Sequence, residues 1–171
     1  MTRTHAIIGK YLPDLIYGAN DGIVTTLAVI SGVVGASLSN RVILILGFAN
    51  LLADGFSMGA SNVLARRSET KSEIAPLWAT TQHGVATFVG FLFAGFVPLI
   101  AYLTPWSYPD RFQLAIVMAL LTLFLVGASR ARFTNRSTFR AGLEMLLIGA
   151  SAACLAYFIG AAAARLTGGA T

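Results

Sequence analysis

Residues 42–65 read VILILGFANLLADGFSMGASNVLA and hold one charged side chain, Asp54, in 24 positions. A helix of about 20 predominantly apolar residues crosses the hydrocarbon core of a bilayer, so this stretch is long enough to span. A charge near the centre of such a helix costs about 2.5–3.5 kcal/mol on insertion scales. The stretch therefore predicts a membrane-spanning helix in which one carboxylate has a purpose other than contact with lipid.

Four further apolar runs flank this stretch. The chain of 171 residues is 56% hydrophobic and 11% charged, whereas soluble domains carry about 25% charged residues. The sequence therefore predicts an all-α integral membrane protein of one domain, residues 1–171, with no separate soluble domain. A short link at 39–41 predicts that the first two spans form an antiparallel hairpin. The predicted spans are 14–38, 42–65, 84–103, 112–129 and 141–163.

The basic residues predict how the spans are oriented. Of the twelve lysines and arginines, nine fall in the N-terminus and in the second and fourth connections, and three on the opposite side. Because cytoplasmic loops are enriched in Lys and Arg, the N-terminus is predicted in the cytoplasm and the C-terminus outside. The net charge of +5 is accordingly attributed to topology and to contacts with anionic lipid of the bilayer, not to nucleic acid.

Three acidic residues lie inside predicted spans: Asp21, Asp54 and Glu144. No lysine or arginine lies near mid-span to neutralise them, so the neutralising group is a proton, a bound cation or water in a cavity. Glu144 has a second interpretation, since Arg140 lies four residues earlier, at the spacing of an ion pair on a helix. Asp14, at the end of a span, is assigned no special role, and His83 is expected to cap the third span or face lipid.

The second span carries a stripe of candidate metal ligands. Asn50, Asp54 and Met58 are spaced four residues apart, which places them on one face of a helix. An amide oxygen, a carboxylate and a thioether suit a first-row divalent metal better than Mg²⁺ or Ca²⁺, which prefer oxygen ligands alone. Two other interpretations stay open: Met58 packs in the bundle like most methionines of membrane helices, and Asp54 hydrogen-bonds a neighbouring helix.

Glycines surround two of these residues. Gly18 and Gly22 flank Asp21, and Gly55 and Gly59 flank Met58, each pair at the spacing of a GxxxG motif. Small residues at this spacing let helix backbones approach closely within a membrane. The four glycines are therefore predicted to be sites of helix packing.

Four segments of the chain resemble the vacuolar iron transporter family, which also includes the yeast calcium-cross-complementing proteins and plant nodulin-like members. They are DGIVTT at 21–26, GVVGA at 32–36, GFANLLADGFSMG at 47–59 and GLEMLLIG at 142–149. The resemblance runs over nearly the whole chain, and the combined motif of the first two spans is specific. It implies a five-helix protomer that forms a homodimer, with an ion path at the dimer interface lined by the first and second helices.

The resemblance also implies an activity. Members of this family move Fe²⁺, and often Mn²⁺ or a related divalent metal, out of the cytosol in exchange for protons. By position, Asp21 and Met58 match the acid and the methionine that line the family's path. Asp54 matches the Ala-Asp-Gly-x-Ser-Met form of the motif, and Asn50 stands where some members carry a glutamate and others an asparagine.

The chain departs from many family members between the second and third spans. There, many members carry a cytoplasmic insertion of long helices, rich in Glu and Met, that collect metal, whereas residues 66–83 form only a short connection. The chain is thus predicted to be a short form without the metal-collecting domain. Ser68 and Glu69 resemble the end of the family's second helix, which makes Glu69 a candidate metal contact at the cytoplasmic mouth.

These observations predict a proton-coupled exporter of Fe²⁺, Mn²⁺ or a related divalent metal. It is predicted in a bacterial inner membrane, because the loops are short and no organelle signal is visible. Two alternatives stay open: a metal-binding or scaffolding membrane subunit without turnover, which the missing domain favours, and a passive cation channel. An enzyme is not predicted, because the chain shows no nucleophile–base pair, phosphate loop or metal-hydrolase motif. No resident cofactor is expected, since the metal is the cargo.

Overall fold

Five α-helices appear in a computed structural model that describes residues 3–69, 76–104, 111–134 and 137–168. Each helix is long and apolar enough to cross a membrane. The prediction of an all-helical membrane protein with five spans is confirmed for this part of the chain. The helices are α1 (Arg3–Gly35), α2 (Asn40–Glu69), α3 (Leu77–Leu103), α4 (Arg111–Thr134) and α5 (Thr138–Leu166).

The helices extend beyond the predicted spans. α2 continues to Glu69 instead of ending at 65, and α3 begins at Leu77 instead of 84; α1 likewise starts well before its predicted span. Hydropathy marks only the apolar centre of a helix, whereas its backbone hydrogen bonds continue through polar residues beyond the hydrocarbon core. The predicted connection at 66–83 is consequently reduced to residues 70–76, of which the structure describes only the last.

A short turn joins α1 to α2 and makes them an antiparallel hairpin. The amide of Leu38 donates to the carbonyl of Val33 at 3.0 Å, the pattern of a Schellman C-cap. Ser37 holds the left-handed backbone conformation that such a cap requires, with φ 57°. The hairpin was predicted with its link at 39–41; because Asn40 already begins α2, the turn lies a few residues earlier.

α1 and α3 form the centre of the bundle. α1 packs against every other helix, and α3 contacts α1, α2 and α4. α2 lies on one side of this central pair and contacts α3 more extensively than α1, while α4 and α5 lie on the other side. Within the described residues, α2 contacts neither α4 nor α5. One face of α2 therefore looks away from the protomer.

Close contact between the central helices depends on glycine. A β-carbon at Gly22 would collide with the carbonyl oxygen of Phe91 on α3, and one at Gly18 would collide with the α3 backbone one turn earlier. Gly55 and Gly59 of α2 also face α3, where a β-carbon would lie 3.1 Å from a ring carbon of Phe91 and 2.8 Å from a backbone oxygen, respectively. All four glycines that the sequence singled out for helix packing therefore lie against α3.

The outward surface of the bundle carries many large apolar side chains, as expected of a surface that contacts lipid. On α2, Leu52 and Phe56 are 58% and 71% exposed. A second exposed face of α2, which at 3.6 residues per turn lies well round the helix from Leu52 and Phe56, carries three polar side chains, Asp54, Ser57 and Ser61. This face of α2 is therefore where the candidate site lies.

Candidate metal pathway

The outward face of α2 carries the candidate ligands that the sequence predicted. Asp54 is exposed, and Asn50 and Met58 are half-buried about one turn to either side of it. Asp54 lies near the middle of the Asn40–Ser68 span, where a charge in contact with lipid costs about 2.5–3.5 kcal/mol. Something more polar than lipid must therefore cover this face of α2 in the membrane.

Asp21 of α1 brings a second carboxylate to this region. It is half-buried, and the charge of Asp54 acts on it electrostatically. Two negative charges in surroundings of low dielectric constant repel each other strongly, so a proton or a cation near them stabilises both. The structure thus brings two acids from different helices within electrostatic reach of each other, although neither has a basic partner in the described residues.

Thr25 of α1 contacts the amide of Asn50 on α2. The Nδ2 atom of Asn50 donates to Thr25 Oγ1 at 3.4 Å, and the Thr25 hydroxyl donates to the backbone oxygen of Asp21 at 2.8 Å. Because the amide nitrogen is used in this contact, the Asn50 Oδ1 atom stays available as an acceptor or metal ligand. A threonine one turn from Asp21 therefore links the acid of α1 to the stripe on α2.

An open pocket of about 340 Å³ adjoins the stripe. Met58 forms part of its wall, and α1 contributes an exposed tyrosine. One water takes up about 30 Å³ in the liquid, so the pocket has room for a metal ion with several waters. The residues that line it are Tyr17, Met58, Ser61, Asn62, Ala65 and Arg66.

A buried charged cluster lies beside this pocket. Asp14 of α1 is only 4% exposed. Its Oδ1 atom accepts hydrogen bonds from Asn62 Nδ2 and from the Arg66 guanidinium, both at 2.8 Å, and its Oδ2 atom accepts one from His83 Nδ1 at 2.6 Å. One carboxylate therefore ties α1, α2 and α3 together.

The expectations for two residues of this cluster are wrong. Asp14 has a structural role, and His83 neither caps α3 nor faces lipid, because both helices begin earlier than predicted and both side chains are buried in the bundle. The spacing contained a partial signal. Asn62 and Arg66 continue the series 50, 54, 58 in steps of four along α2, and each step turns about 40° further round the helix, which leads from the exposed face to the side of α2 that meets Asp14.

Of the two remaining acids of the prediction, Glu144 is not joined to the stripe in the described part of the chain. Glu144 is exposed on α5, and α5 does not contact α2 in the described part of the protomer. Glu69 ends α2, and its side chain lies outside the residues that can be described. Among the described residues, no group of three His, Cys, Asp or Glu side chains is placed to hold a metal ion. Within these residues, one protomer offers a partial set of ligands.

Five spanning helices with carboxylates inside the spans define a polytopic helical membrane protein with a polar intramembrane face. A family model matches residues 12–80 and 70–161 of the chain. The chain belongs to the VIT family, and the resemblance seen in its sequence is confirmed. The two matched segments meet at the connection between α2 and α3, where the insertion was predicted to be missing.

Proteins similar to this chain are named as iron transporters. The vacuolar iron transporter of Plasmodium berghei (strain Anka) is 23% identical over 91% of this chain and 83% of its own length. Vacuolar iron transporter 1 of Arabidopsis thaliana is 22% identical over 91% and 87%, and vacuolar iron transporter homolog 4 of that plant is 30% identical over 68% and 65%. The Plasmodium alignment spans 227 positions against 171 residues here, so that relative contains residues with no counterpart in this shorter chain.

Proposed function

We propose that this chain transports divalent transition metals, Fe²⁺ and Mn²⁺ among them, in exchange for protons. One observation carries the proposal: the exposed carboxylate of Asp54 lies mid-span on α2, and Asn50, one turn away on that helix, is linked through Thr25 to Asp21 of α1. The choice of iron follows from the similar proteins, which are named as iron transporters. The amide and thioether that flank Asp54 favour the same class of metal over Mg²⁺ or Ca²⁺.

The path for the metal is proposed to lie between two copies of the chain. A two-fold axis beside α2 would bring the same face of each copy together. Asp54, Ser57 and Ser61 would then leave lipid, which removes the cost of exposing them there. Each copy would also contribute its own ligands, so that the shared site has twice as many as one protomer offers. This accounts for the partial ligand set that the described residues of one protomer offer.

In this proposal, the charges of Asp21 and Asp54 couple metal binding to proton release. Without metal, protons on Asp21 and Asp54 remove the repulsion between the two carboxylates. A divalent metal displaces these protons because carboxylates bind metal in their deprotonated form, and protons from the other side of the membrane later displace the metal. Where protons enter the cytosol through this exchange, the metal leaves it. The membrane is proposed to be a bacterial inner membrane.

Purified protein in liposomes tests the proposed exchange. A pH dye and a metal-sensitive dye are enclosed together, and Fe²⁺ and Mn²⁺ are added separately outside. Metal uptake with proton movement in the opposite direction is expected. Metal uptake without proton movement would identify a passive channel instead. Metal binding without uptake would identify a binding subunit, the alternative that the short connection between α2 and α3 favours.

Cysteine cross-linking tests the proposed dimer. The exposed Cys154 is first replaced by serine, and a single cysteine is then introduced as Ser57→Cys on α2 or, as the matched control, as Ser151→Cys on α5. Both serines are exposed in the protomer. A short bifunctional maleimide added to membranes is expected to give a covalent dimer with Ser57→Cys and not with Ser151→Cys. The reverse pattern would place the interface on α5 and contradict the proposed path.

A further inference from the structure

We propose that His83 accepts the protons that metal binding displaces and returns them to the cytosol. The inference rests on the proposed function, because it assigns a residue to the proton half of that exchange. It concerns the buried pair of Asp14 and His83, which the exchange mechanism leaves unused. Three observations carry it: the hydrogen bond between these two residues, the pocket that leads to them, and their position relative to Asp21.

The hydrogen bond to Asp14 determines which ring nitrogen of His83 takes up a proton. Asp14 Oδ2 lies 2.6 Å from His83 Nδ1, and a carboxylate accepts hydrogen bonds but donates none, so Nδ1 carries the hydrogen. In the neutral ring, Nε2 is therefore the nitrogen with a free lone pair. A proton bound to Nε2 makes the ring positive, and the negative charge of Asp14 stabilises it. The pair thus forms a site for one additional proton.

Charged and titratable groups of α1 and α2 lie around His83. On α1, the Tyr11 ring centroid lies 4.9 Å from that of His83, and Lys10 Nζ lies over the Tyr11 ring. On α2, Arg66 lies 2.8 Å from the other carboxylate oxygen of Asp14. Histidine ordinarily changes its charge between about pH 5 and 8, whereas tyrosine, lysine and arginine do so at higher pH. Of these groups, His83 is therefore the one suited to accept and release protons at cytosolic pH.

The open pocket beside α2 leads from the acids to this pair. Met58, one turn from Asp54, lines the pocket, and so does Asn62. Asn62 Nδ2 donates to Asp14 Oδ1 at 2.8 Å, so the pocket wall is in direct contact with the pair. Water in such a pocket passes protons along its hydrogen bonds, whereas the hydrocarbon of the bilayer offers no partner. The pocket is therefore the route by which protons reach His83.

Asp14 and Asp21 share one face of α1. They are seven residues apart, which is two helical turns, or about 10 Å along the axis. The His83 side chain is 11% exposed and that of Asp14 is 4% exposed, so the ring is the more accessible to water. The pair lies towards the end of the bundle where α2 ends at Glu69 and α3 begins at Leu77, the end predicted to face the cytosol. His83 is thus placed between the mid-span acids and the cytosol.

Replacement of His83 by asparagine tests the inference. His83→Asn keeps an amide N–H in the position of Nδ1, where it can donate to Asp14, but it has no basic nitrogen. Equilibrium Mn²⁺ binding is expected to stay at the wild-type level, because His83 is not a proposed ligand. Mn²⁺ uptake into liposomes near neutral pH is expected to slow about tenfold, less than the roughly 10²–10⁴-fold that a proton acceptor contributes in contact with reacting atoms. The effect is smaller because water in the pocket still carries protons.

Added imidazole separates proton transfer from a structural role. Imidazole is small enough to enter a pocket of about 340 Å³, and it accepts protons near neutral pH as the lost side chain did. At equal concentration on both sides of the membrane, it is expected to restore Mn²⁺ uptake in His83→Asn. Pyrazole, a ring of the same size that accepts no proton near neutral pH, is expected to restore nothing. Uptake that stays slow with imidazole, or that recovers equally with pyrazole, would overturn the inference.

His5→Asn is the matched control, since it makes the same change at the other of the two histidines in the chain. It is expected to keep wild-type uptake, and equal slowing in both variants would contradict the assignment to His83. Should His83→Asn fail to fold, NMR of ¹⁵N-labelled histidine carries the test in His5→Gln, where His83 is the sole histidine. Nε2 is expected to gain a proton between about pH 8 and 5 while Nδ1 keeps its own. An unchanged Nε2 would overturn the inference.

A pH dye in the same liposomes separates this inference from the proposed function. Wild-type Mn²⁺ uptake with opposite proton movement, together with an undiminished rate in His83→Asn, would refute the role of His83 and leave the exchange standing. Wild-type Mn²⁺ uptake without proton movement would refute the exchange and, with it, the role of His83. Slow exchange in His83→Asn that imidazole alone restores would support both.

Discussion

Asp21→Asn is expected to abolish metal-driven proton movement in liposomes and to slow metal uptake by about a hundredfold. Asparagine keeps the size of the side chain and one oxygen ligand, but it carries no negative charge and releases no proton. Asp54 then has no second negative charge beside it, so the metal no longer displaces protons from a pair of acids. The pH dye and the metal dye report both losses from the same vesicles.

Asp110→Asn is the matched control for this prediction. It makes the same chemical change at an acid that the sequence places between the third and fourth spans. Both dye signals are expected to stay at the wild-type level. If Asp21→Asn also leaves uptake and proton movement unchanged, the proposed path is wrong. If uptake persists while proton movement is lost, Asp21 takes part in coupling but not in binding the metal.

The centre of each span could be predicted from the sequence, whereas the helix ends could not. Hydropathy identifies the residues that suit the hydrocarbon core, so a span predicted from it ends at the first cluster of charged residues. Arg66 and Arg67 form such a cluster, yet they lie in the last turn of α2, where basic side chains interact favourably with the helix dipole. They therefore end an apolar run without ending the helix. The same reasoning explains why the connection to α3 is shorter than predicted.

For the candidate site, the sequence predicted which residues share a face but not what packs against that face. Steps of four place residues 50, 54 and 58 together on any α-helix. The hydrogen bond between Asp14 and His83 joins residues 69 positions apart, and it exists only because α1 packs against α3. A contact of this kind leaves no periodic signal in the chain. The glycine motifs indicated close packing, but not that α3 is the partner.

Gly22→Ala is expected to destabilise the protein in detergent by about 1–3 kcal/mol. In an unobstructed helix the same change stabilises by about 1 kcal/mol, because alanine is the better helix former. Here the new β-carbon would collide with the carbonyl oxygen of Phe91 and lie 2.9 Å from its Cα. A backbone cannot rotate away as a side chain can, so α1 and α3 would have to separate.

Gly32→Ala on the same helix is the matched control. Its β-carbon would meet only the carbonyl oxygen of Ala156 at 3.5 Å, an ordinary van der Waals contact. The unfolding temperature is therefore expected to equal or exceed that of the wild type. Thermal unfolding, followed by the loss of the folded peak in size-exclusion chromatography, compares the two variants. Because Gly22 adjoins Asp21, Mn²⁺ binding should weaken in Gly22→Ala alone. Equal stability in both variants would mean that the packing of α1 against α3 does not depend on the close approach at Gly22.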